Sequence, residues 1–178
     1  MFIHPVLDIG PGNALLLKPV EGLYLRPVQP EDRAFLYTLY ASTRAREMAL
    51  LGWDDTQMQA FLNMQFNAQQ QYYAAQFPDA HREILELDNA AIGYLCTDHR
   101  PNKIHLIEIS ILPQFRGQGI GSFLLNDLLA DAASSDKCVF IHVEQSNPAI
   151  RLYQRLGFRL EQDDGIYLQM AWHPSTML

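Results

Sequence analysis

A glycine-rich loop between an apolar strand-like run and an amphipathic helix constrains this chain more than any other segment. The run Leu106–Leu112 is followed closely by Arg116-Gly117-Gln118-Gly119-Ile120-Gly121. Glycine at alternate positions permits positive φ angles and leaves backbone N–H groups unshielded by Cβ atoms. The helix that follows adds N–H donors without intrahelical partners and the positive end of its dipole. The segment therefore predicts an anion site that suits a pyrophosphate.

Composition predicts one globular domain. The 178 residues are 48% hydrophobic and 19% charged, with a net charge of −7 and no Lys/Arg-rich run, so we expect no nucleic-acid partner. No apolar run reaches the roughly 18 residues needed to span a membrane. Asp8 and Gly10-Pro11-Gly12 interrupt the start of the chain where a signal peptide would be apolar. We predict a cytoplasmic protein with an N-terminal extension (1–21) and one domain (22–173).

Hydrophobic periodicity predicts a mixed α/β fold. Helical spacing follows two typical helix starts, Pro30-Glu31-Asp32 and Asp54-Asp55-Thr56, and the period then changes to the two residues of a strand. Asp88-Asn89 is the expected turn of a hairpin. In chain order we predict a strand from 23, helices from 30 and 54, strands 82–87, 91–97 and 103–112, a helix after the glycine loop, strand 138–143, helix 148–156 ended by Gly157, and closing strands 158–160 and 167–172.

Three interpretations of the glycine loop are open. A P-loop needs Lys-Ser/Thr after its last glycine, whereas Ser122-Phe123 stand here. A dinucleotide-binding fold carries Gly-x-Gly-x-x-Gly early in the chain, while this Gly-x-Gly-x-Gly lies two-thirds of the way along. Glu144 ends the next strand, where a dinucleotide-binding fold places the acid that binds the ribose, so that fold is a remote alternative. The third interpretation is acyl-coenzyme A, whose Arg/Gln-x-x-Gly-x-Gly/Ala pattern Arg116, Gly119 and Gly121 match.

A second segment, one strand later, favours the third interpretation. It runs from Ser146-Asn147-Pro148 through Leu152-Tyr153 to Gly157-Phe158. With both segments, which cover about 104–158, the chain resembles the GNAT superfamily of N-acetyltransferases. The resemblance implies a mixed, mostly antiparallel central sheet of six to seven strands with about four helices, in which the strand 104–112 splays from the strand 137–143.

The resemblance also implies an activity. The expected reaction transfers an acyl group, with acetyl as the expected one, from acetyl-CoA as co-substrate to a primary amine of a small molecule or peptide by direct attack. We expect no metal, since the six histidines show no paired ligand spacing. The competing function is a non-catalytic acyl-CoA-binding or sensing domain of the same fold.

The coenzyme A contacts follow from the resemblance. The pantetheine arm is expected in the gap between the splayed strands, paired with backbone groups of Ile109 and Ile111 like an added strand and hydrogen-bonded by Asn147. The N–H groups of the glycine loop are expected to hold the pyrophosphate. The full expected set is Ile109, Ile111, Arg116, Gly117, Gln118, Gly119, Ile120, Gly121, Ser122, Asn147 and Tyr153.

Tyr153 is the expected acid. It matches the family tyrosine beside the thioester sulfur, and its phenol is able to protonate the leaving thiolate. The plain alternative is a core tyrosine packed on Gly157 and Phe158. A backbone N–H near Ile111 is the expected donor to the oxyanion.

The general base is open among three residues. His105 occupies a strand position where several family members carry Glu or His, and its ordinary pKa suits the task. Glu108 lies on the same strand with opposite parity, so at most one of the two faces the acceptor cleft unless a bulge intervenes. His142 matches a position that is Glu in some members. Each of the three can instead be a hydrogen-bonded sheet residue, and a water chain can serve as the base.

The sequence says least about which residues line the acceptor site. Glu47, Trp53 and Asp54 join the two early helices in a segment that overhangs the cleft in relatives, and either line the acceptor site or form a solvated connection. The sequence leaves open the acceptor's identity, the acyl chain preference and the choice between a monomer and a homodimer. Cys96 and Cys138 are expected to be reduced thiols.

Overall fold

Seven strands and four α-helices follow one another in the predicted order across residues 21–174, the part of the chain that this computed structural model describes. The strands are β1 (Leu23–Pro27), β2 (His81–Leu87), β3 (Ala90–His99), β4 (Lys103–Ile111), β5 (Cys138–Glu144), β6 (Arg159–Asp163) and β7 (Tyr167–Trp172). The helices are α1 (Arg33–Met48), α2 (Asp55–Gln76), α3 (Ile120–Ser134) and α4 (Ile150–Arg155). None of the helices in this range is long and apolar enough to cross a membrane. The predicted extension falls outside the described residues, apart from position 21.

Local sequence accounts for the element boundaries. Pro30–Asp32 forms a short 3-10 turn that leads directly into α1. Asp54 begins α2 with a capping box: its Oδ1 accepts the N–H of Gln57 at 2.8 Å, and the Gln57 side chain accepts the N–H of Asp54 at 3.2 Å. Asp88 and Asn89 both have positive φ (51° and 65°), as the β2–β3 hairpin turn requires.

The strands form one sheet in the order β1-β2-β3-β4-β5-β7-β6. Every neighbouring pair is antiparallel except β4–β5, which α3 connects as a crossover. The helices α1 and α2 cover one face, here called the front face, and α3 and α4 cover the back face. The front-face core includes Leu39, Tyr40, Phe66, Tyr73, Ile84, Tyr94, Cys96 and Ile107. The back-face core includes Ile104, Leu106, Ile109, Leu125, Ile141, Leu152 and Tyr153.

The parallel pair β4–β5 separates halfway along its length. Its register runs from Lys103 opposite Cys138 only as far as Leu106 opposite Ile141. Beyond that point β4 stays paired with β3, and β5 stays paired with β7 as far as Glu144. The two strands therefore diverge and open a gap toward their carboxyl ends, which is the predicted splay.

A bulge in β4 changes which residues share a face. Leu106 lies opposite Thr97 on β3, but Glu108 lies opposite Cys96, so Ile107 is an extra residue. Ile107 belongs to the front-face core, and Glu108 points to the same face because it opposes Cys96. Strict alternation therefore does not separate His105 from Glu108, because the bulge that was the stated exception is present in this strand. The bulge brings both to the front face.

Both cysteines are free thiols. Cys96 is fully buried in β3, and burial raises the pKa of its thiol to about 12. A thiol with so high a pKa is not poised as a nucleophile, which agrees with the expected structural role.

Candidate active site

The glycine loop has the conformation that its sequence requires. Gly117 and Gly119 both take positive φ (73° and 83°), and Gly119 is the N-cap of α3. Because glycine has no side chain, it cannot cap the first N–H groups of the helix, which remain directed at the loop. Arg116 ties this loop to the sheet, since its Nε donates to the carbonyl of Ile111 at 2.7 Å. The arrangement suits an anion bound by backbone N–H groups.

The edge of β4 supplies the backbone groups that line the gap. Leu112 donates its N–H to the carbonyl of Ile92 on β3 at 2.8 Å. Because successive N–H groups of a strand point in opposite directions, those of Ile111 and Ile109 point away from β3, toward the gap. The Ile111 carbonyl already accepts Arg116, so the remaining group at that residue is its N–H.

Asn147 lies at the start of the second predicted segment, and the oxygen of its side chain already accepts a hydrogen bond. Its Oδ1 accepts the N–H of Ala149 at 2.9 Å, which shapes the turn into α4. Its Nδ2 is therefore the group that suits a carbonyl of a bound ligand.

The C-terminus of α4 fixes the position of Tyr153. Phe158 donates its N–H to the Tyr153 carbonyl at 3.0 Å, and Gly157 donates to Gln154 at 3.1 Å with φ of 95°. These bonds form a Schellman motif, and the Tyr153 and Phe158 rings contact edge to face with centroids 5.4 Å apart. A Cβ at Gly157 would lie 3.3 Å from the Trp172 side chain, a second reason for glycine here.

Tyr153 is fully buried, yet its hydroxyl has no hydrogen-bond partner among residues 21–174. Burial raises the pKa of this phenol well above its ordinary value, so it stays protonated and able to donate. Buried hydroxyls are rarely left without a partner in native proteins. The orphaned group is the kind of feature that a bound ligand completes.

A narrow crevice runs where β4 and β5 separate, and Tyr153 lies at one side of it. The residues that line it come from β4, β5 and α4: Leu106, Glu108, Ile109, Ile141, His142, Val143 and Tyr153. Three of the four predicted catalytic residues thus lie around one opening, and the fourth, His105, contacts the His142 ring.

Glu108 is a buried carboxyl, and one of its two oxygens accepts a single long hydrogen bond. Its Oε1 accepts the Ser110 hydroxyl at 3.2 Å, whereas Oε2 is buried without a partner in the described part of the chain. Burial raises the pKa of Glu108 to about 7, against the opposing influence of the Ser110 and Tyr73 hydroxyls and the charge of Arg44. A carboxyl with this pKa exchanges protons near neutral pH.

His105 lies among aromatic rings. Its imidazole stacks on Phe140 with centroids 4.3 Å apart and contacts the edge of Phe77 at 5.3 Å. Burial, together with the neighbouring His142, lowers the pKa of His105 to about 3. Its Nε2 lies 3.5 Å from Nδ1 of His142, whose ring is exposed. His105 is therefore neutral at physiological pH.

Arg44 is a functional candidate that the sequence analysis missed. It lies on α1 and is only 9% exposed. Its Nη1 is 3.2 Å from each carboxylate oxygen of Glu47, and its guanidinium lies 5.7 Å from the Tyr40 ring centroid. The signal was available: Leu36, Tyr40, Arg44 and Met48 recur at intervals of four, which places a cation in an apolar stripe.

Of the three residues expected to join the two early helices, Trp53 and Asp54 do so, whereas Glu47 lies in the last turn of α1; all three have structural contacts. Asp54 caps α2, and Trp53, 39% exposed, packs edge to face on Phe61 with centroids 5.2 Å apart. Glu47 is exposed and pairs with Arg44.

The splayed parallel pair, with the glycine loop at its end, is the arrangement expected for the GNAT fold. Residues 46–158 match the family model described as "Acetyltransferase (GNAT) family". The chain belongs to that family. The predicted superfamily and the predicted mixed sheet are thereby confirmed.

Individual relatives either match only part of this chain or have low sequence identity to it. The chain is 32% identical over 88 residues to the Cysteine-rich protein 2-binding protein of Mus musculus, a match that spans 49% of this chain but only 11% of that protein. The crystal structure of the PaiA N-acetyltransferase of Thermoplasma acidophilum in complex with coenzyme A has a TM-score of 0.64 at 17% identity, covering 85% of this chain and 98% of that one. An acetyltransferase from Thermus thermophilus also has a TM-score of 0.64, at 24% identity, with 86% and 98% coverage.

Proposed function

We propose that this protein transfers an acetyl group from acetyl-CoA to a primary amine by direct attack of the amine on the thioester. The observation that carries the proposal is the convergence of Glu108 and Tyr153 on the crevice where β4 and β5 separate. One is a carboxyl whose pKa lies near neutrality, and the other is a buried phenol without a partner within residues 21–174. A base and an acid on two sides of one opening are what acyl transfer to an amine requires.

In this proposal, the glycine loop binds the pyrophosphate of coenzyme A, with N–H groups from Arg116 to Ser122. The backbone of Ile109 and Ile111 extends the pairing of β4 to the pantetheine, and Asn147 Nδ2 donates to one of its carbonyls. The Ile111 N–H, which points to the gap, is suited to the oxyanion.

Glu108 takes one proton from the acceptor's ammonium group, directly or through water, and thereby frees the nitrogen lone pair. The nitrogen forms a bond to the thioester carbon, and the C–S bond breaks as the tetrahedral species collapses. Tyr153 donates its hydroxyl proton to the departing sulfur. The second proton that the nitrogen loses reprotonates the Tyr153 phenolate through solvent. Glu108 releases the first proton to solvent, so each turnover releases one proton.

His105 is less suited than Glu108 to act as the base. A group with a pKa of about 3 holds almost no proton at neutral pH, so it accepts one poorly from an ammonium ion. His142 is exposed at the crevice and remains an alternative base or a route for the proton to solvent.

The test measures thiol release from acetyl-CoA over a library of amines, with calorimetric binding of acetyl-CoA in parallel. Wild type is expected to turn over at least one amine, and Glu108→Gln and Tyr153→Phe to lose turnover while still binding acetyl-CoA. Tyr94→Phe is the matched control, because Tyr94 is a buried tyrosine of β3 that does not line the crevice.

Two outcomes would contradict the proposal. Tight acetyl-CoA binding with no turnover of any amine would support an acyl-CoA-binding or sensing domain. Binding of NAD in the absence of coenzyme A binding would support the dinucleotide interpretation. The cytoplasmic location stays a prediction that fractionation of the expressing cells would check.

A further inference from the structure

We propose that Arg44 is an acceptor-binding residue and that the preferred acceptor is an amine that also carries a carboxylate, as an amino acid does. This inference rests on the proposed function, since it names the substrate class of the same site. It begins from the position of one buried cation on the front face.

Arg44 lies on α1, which packs against β3 and β4 on the front face, and its guanidinium lies against the ring of Tyr40 in the front-face core. Burial raises the pKa of Glu108 on β4 and of Tyr167 on β7, and the positive charge of Arg44 acts against that rise in both. Tyr167 pairs with Glu144 at the end of β5, on the far side of the gap from Glu108. The charge of Arg44 thus acts on one group at each side of the gap, which agrees with a guanidinium on the front face near the opening.

The hydrogen-bonding capacity of Arg44 is only partly used by carboxylates. Both contacts to Glu47 pass through the single nitrogen Nη1, at 3.2 Å. In the range 21–174 no carboxylate makes with Arg44 the two-nitrogen contact that arginine and carboxylate groups prefer. Glu47 itself is largely exposed, with 55% of its side chain accessible, so it is free to swing away.

The front opening therefore presents charges of both signs. Arg44 supplies the positive charge, and Glu108 and Glu144 supply carboxyl groups on the strands at either side. A zwitterion matches this arrangement, because its carboxylate suits Arg44 while its ammonium suits Glu108. In the free protein, Glu47 holds the guanidinium in the place that the acceptor's carboxylate takes.

The experiment compares acceptors in matched pairs. Each pair is an amino acid and its amide, with both α- and ω-amino acids included, and thiol release gives kcat and KM for each. Peptides that begin with Gly-Asp or Gly-Asn extend the comparison to acidic peptides. We expect the carboxylate member to have a kcat/KM roughly 10- to 100-fold higher, mostly through KM, because a charge-assisted hydrogen bond is lost in the amide.

Two variants separate a binding role from a structural one. Arg44→Met keeps the length of the side chain and is expected to bring the kcat/KM ratio within each pair close to one. Glu47→Gln is expected to lower KM for carboxylate acceptors about threefold or more, since it removes the competing carboxylate. Glu31→Gln removes the same charge from an exposed position in the 3-10 turn before α1 and is expected to leave KM unchanged.

The outcomes distinguish this inference from the proposed function. If no amine supports thiol release, the proposed function fails. If amines react but amides serve as well as carboxylates, or Glu47→Gln leaves KM unchanged, only the role of Arg44 is overturned. A shift of the pH–rate profile in Arg44→Met without a change in the pair ratio would likewise overturn it, because Arg44 would then act only on Glu108. If Arg44→Met does not fold, Glu47→Gln alone decides.

Discussion

Glu108 and His105 point to the same face of β4, although three positions separate them along an extended strand. The extra residue Ile107 produces this relationship, and it places two candidate bases on one face of the sheet. Their pKa values then move in opposite directions: burial raises the pKa of Glu108 to about 7 and lowers that of His105 to about 3. Burial disfavours the charged form of each, so both are predominantly neutral between these two values.

The pH dependence of catalysis should follow Glu108. For an amine that titrates well above pH 8, kcat/KM is expected to rise through about pH 7 as Glu108 loses its proton. Glu108→Gln should remove this inflection and lower the plateau on the order of 100-fold, whereas His105→Asn should keep the inflection. An unchanged inflection in Glu108→Gln would assign it to another group.

Glu108 should also make the free energy of unfolding depend on pH. Its pKa is raised in the folded state above the ordinary 4.5, so its contribution is fully present below about pH 4.5 and is lost as the pH rises through about 7. The loss amounts to at most about 3 kcal/mol. Urea unfolding at pH 5 and pH 8 should show it as a difference between wild type and Glu108→Gln.

The comparison with Glu108→Gln is needed because His105 makes the free energy of unfolding depend on pH with the opposite sign. Its lowered pKa gives stability that is present above about pH 6.5 and is lost as the pH falls toward 3. This part is common to wild type and Glu108→Gln and cancels in the difference. Glu31→Gln serves as the exposed control, and a pH dependence equal in all three proteins would count against the buried, neutral carboxyl.

Tyr153→Phe should separate stability from activity. The hydroxyl is buried without a partner in residues 21–174, so its removal should leave the free energy of unfolding unchanged or raise it by up to about 1 kcal/mol. The same change should lower kcat roughly 100-fold if the phenol protonates the leaving group. Urea unfolding and thiol release measure the two effects. A loss of more than about 1 kcal/mol would show that the hydroxyl serves the fold instead.

Gly119→Ala should weaken coenzyme A binding beyond its cost in stability. A side chain at φ of 83° costs about 1–2 kcal/mol, and the new Cβ shields N–H groups at the start of α3. Gly165→Ala is the matched control, since Gly165 has a similar φ of 89° with open space around it in the β6–β7 turn. Both variants should melt earlier, but only Gly119→Ala should raise the dissociation constant of coenzyme A. An equal effect on binding from both would argue against a pyrophosphate site at the loop.

Much of the fold was predictable because its signals are local. The period of the apolar residues, the capping box at Asp54 and the positive φ angles at Asp88 and Asn89 each depend on a few neighbouring residues. The glycine loop and the Asn147–Phe158 segment identified the family for the same reason, since each motif forms one continuous piece of the site.

The environment of the site was not predictable in the same way. The bulge at Ile107 depends on pairing with β3, so alternation along β4 alone could not decide whether His105 and Glu108 share a face. The low pKa of His105 arises from Phe140 and Phe77, which lie far from it in sequence. The spacing of Arg44 places it in the apolar stripe of α1, but which strands that stripe covers is not revealed by any local pattern.

The early end of the β4–β5 pairing has a consequence for the protein's lifetime in the cell. Beyond Leu106 and Ile141, the backbone of each strand faces an open slot that lacks a neighbouring strand. A ligand that binds there completes the sheet in the folded chain only, so it shifts the folding equilibrium by mass action and slows turnover by proteases. The abundance of the protein should then rise and fall with the supply of that ligand.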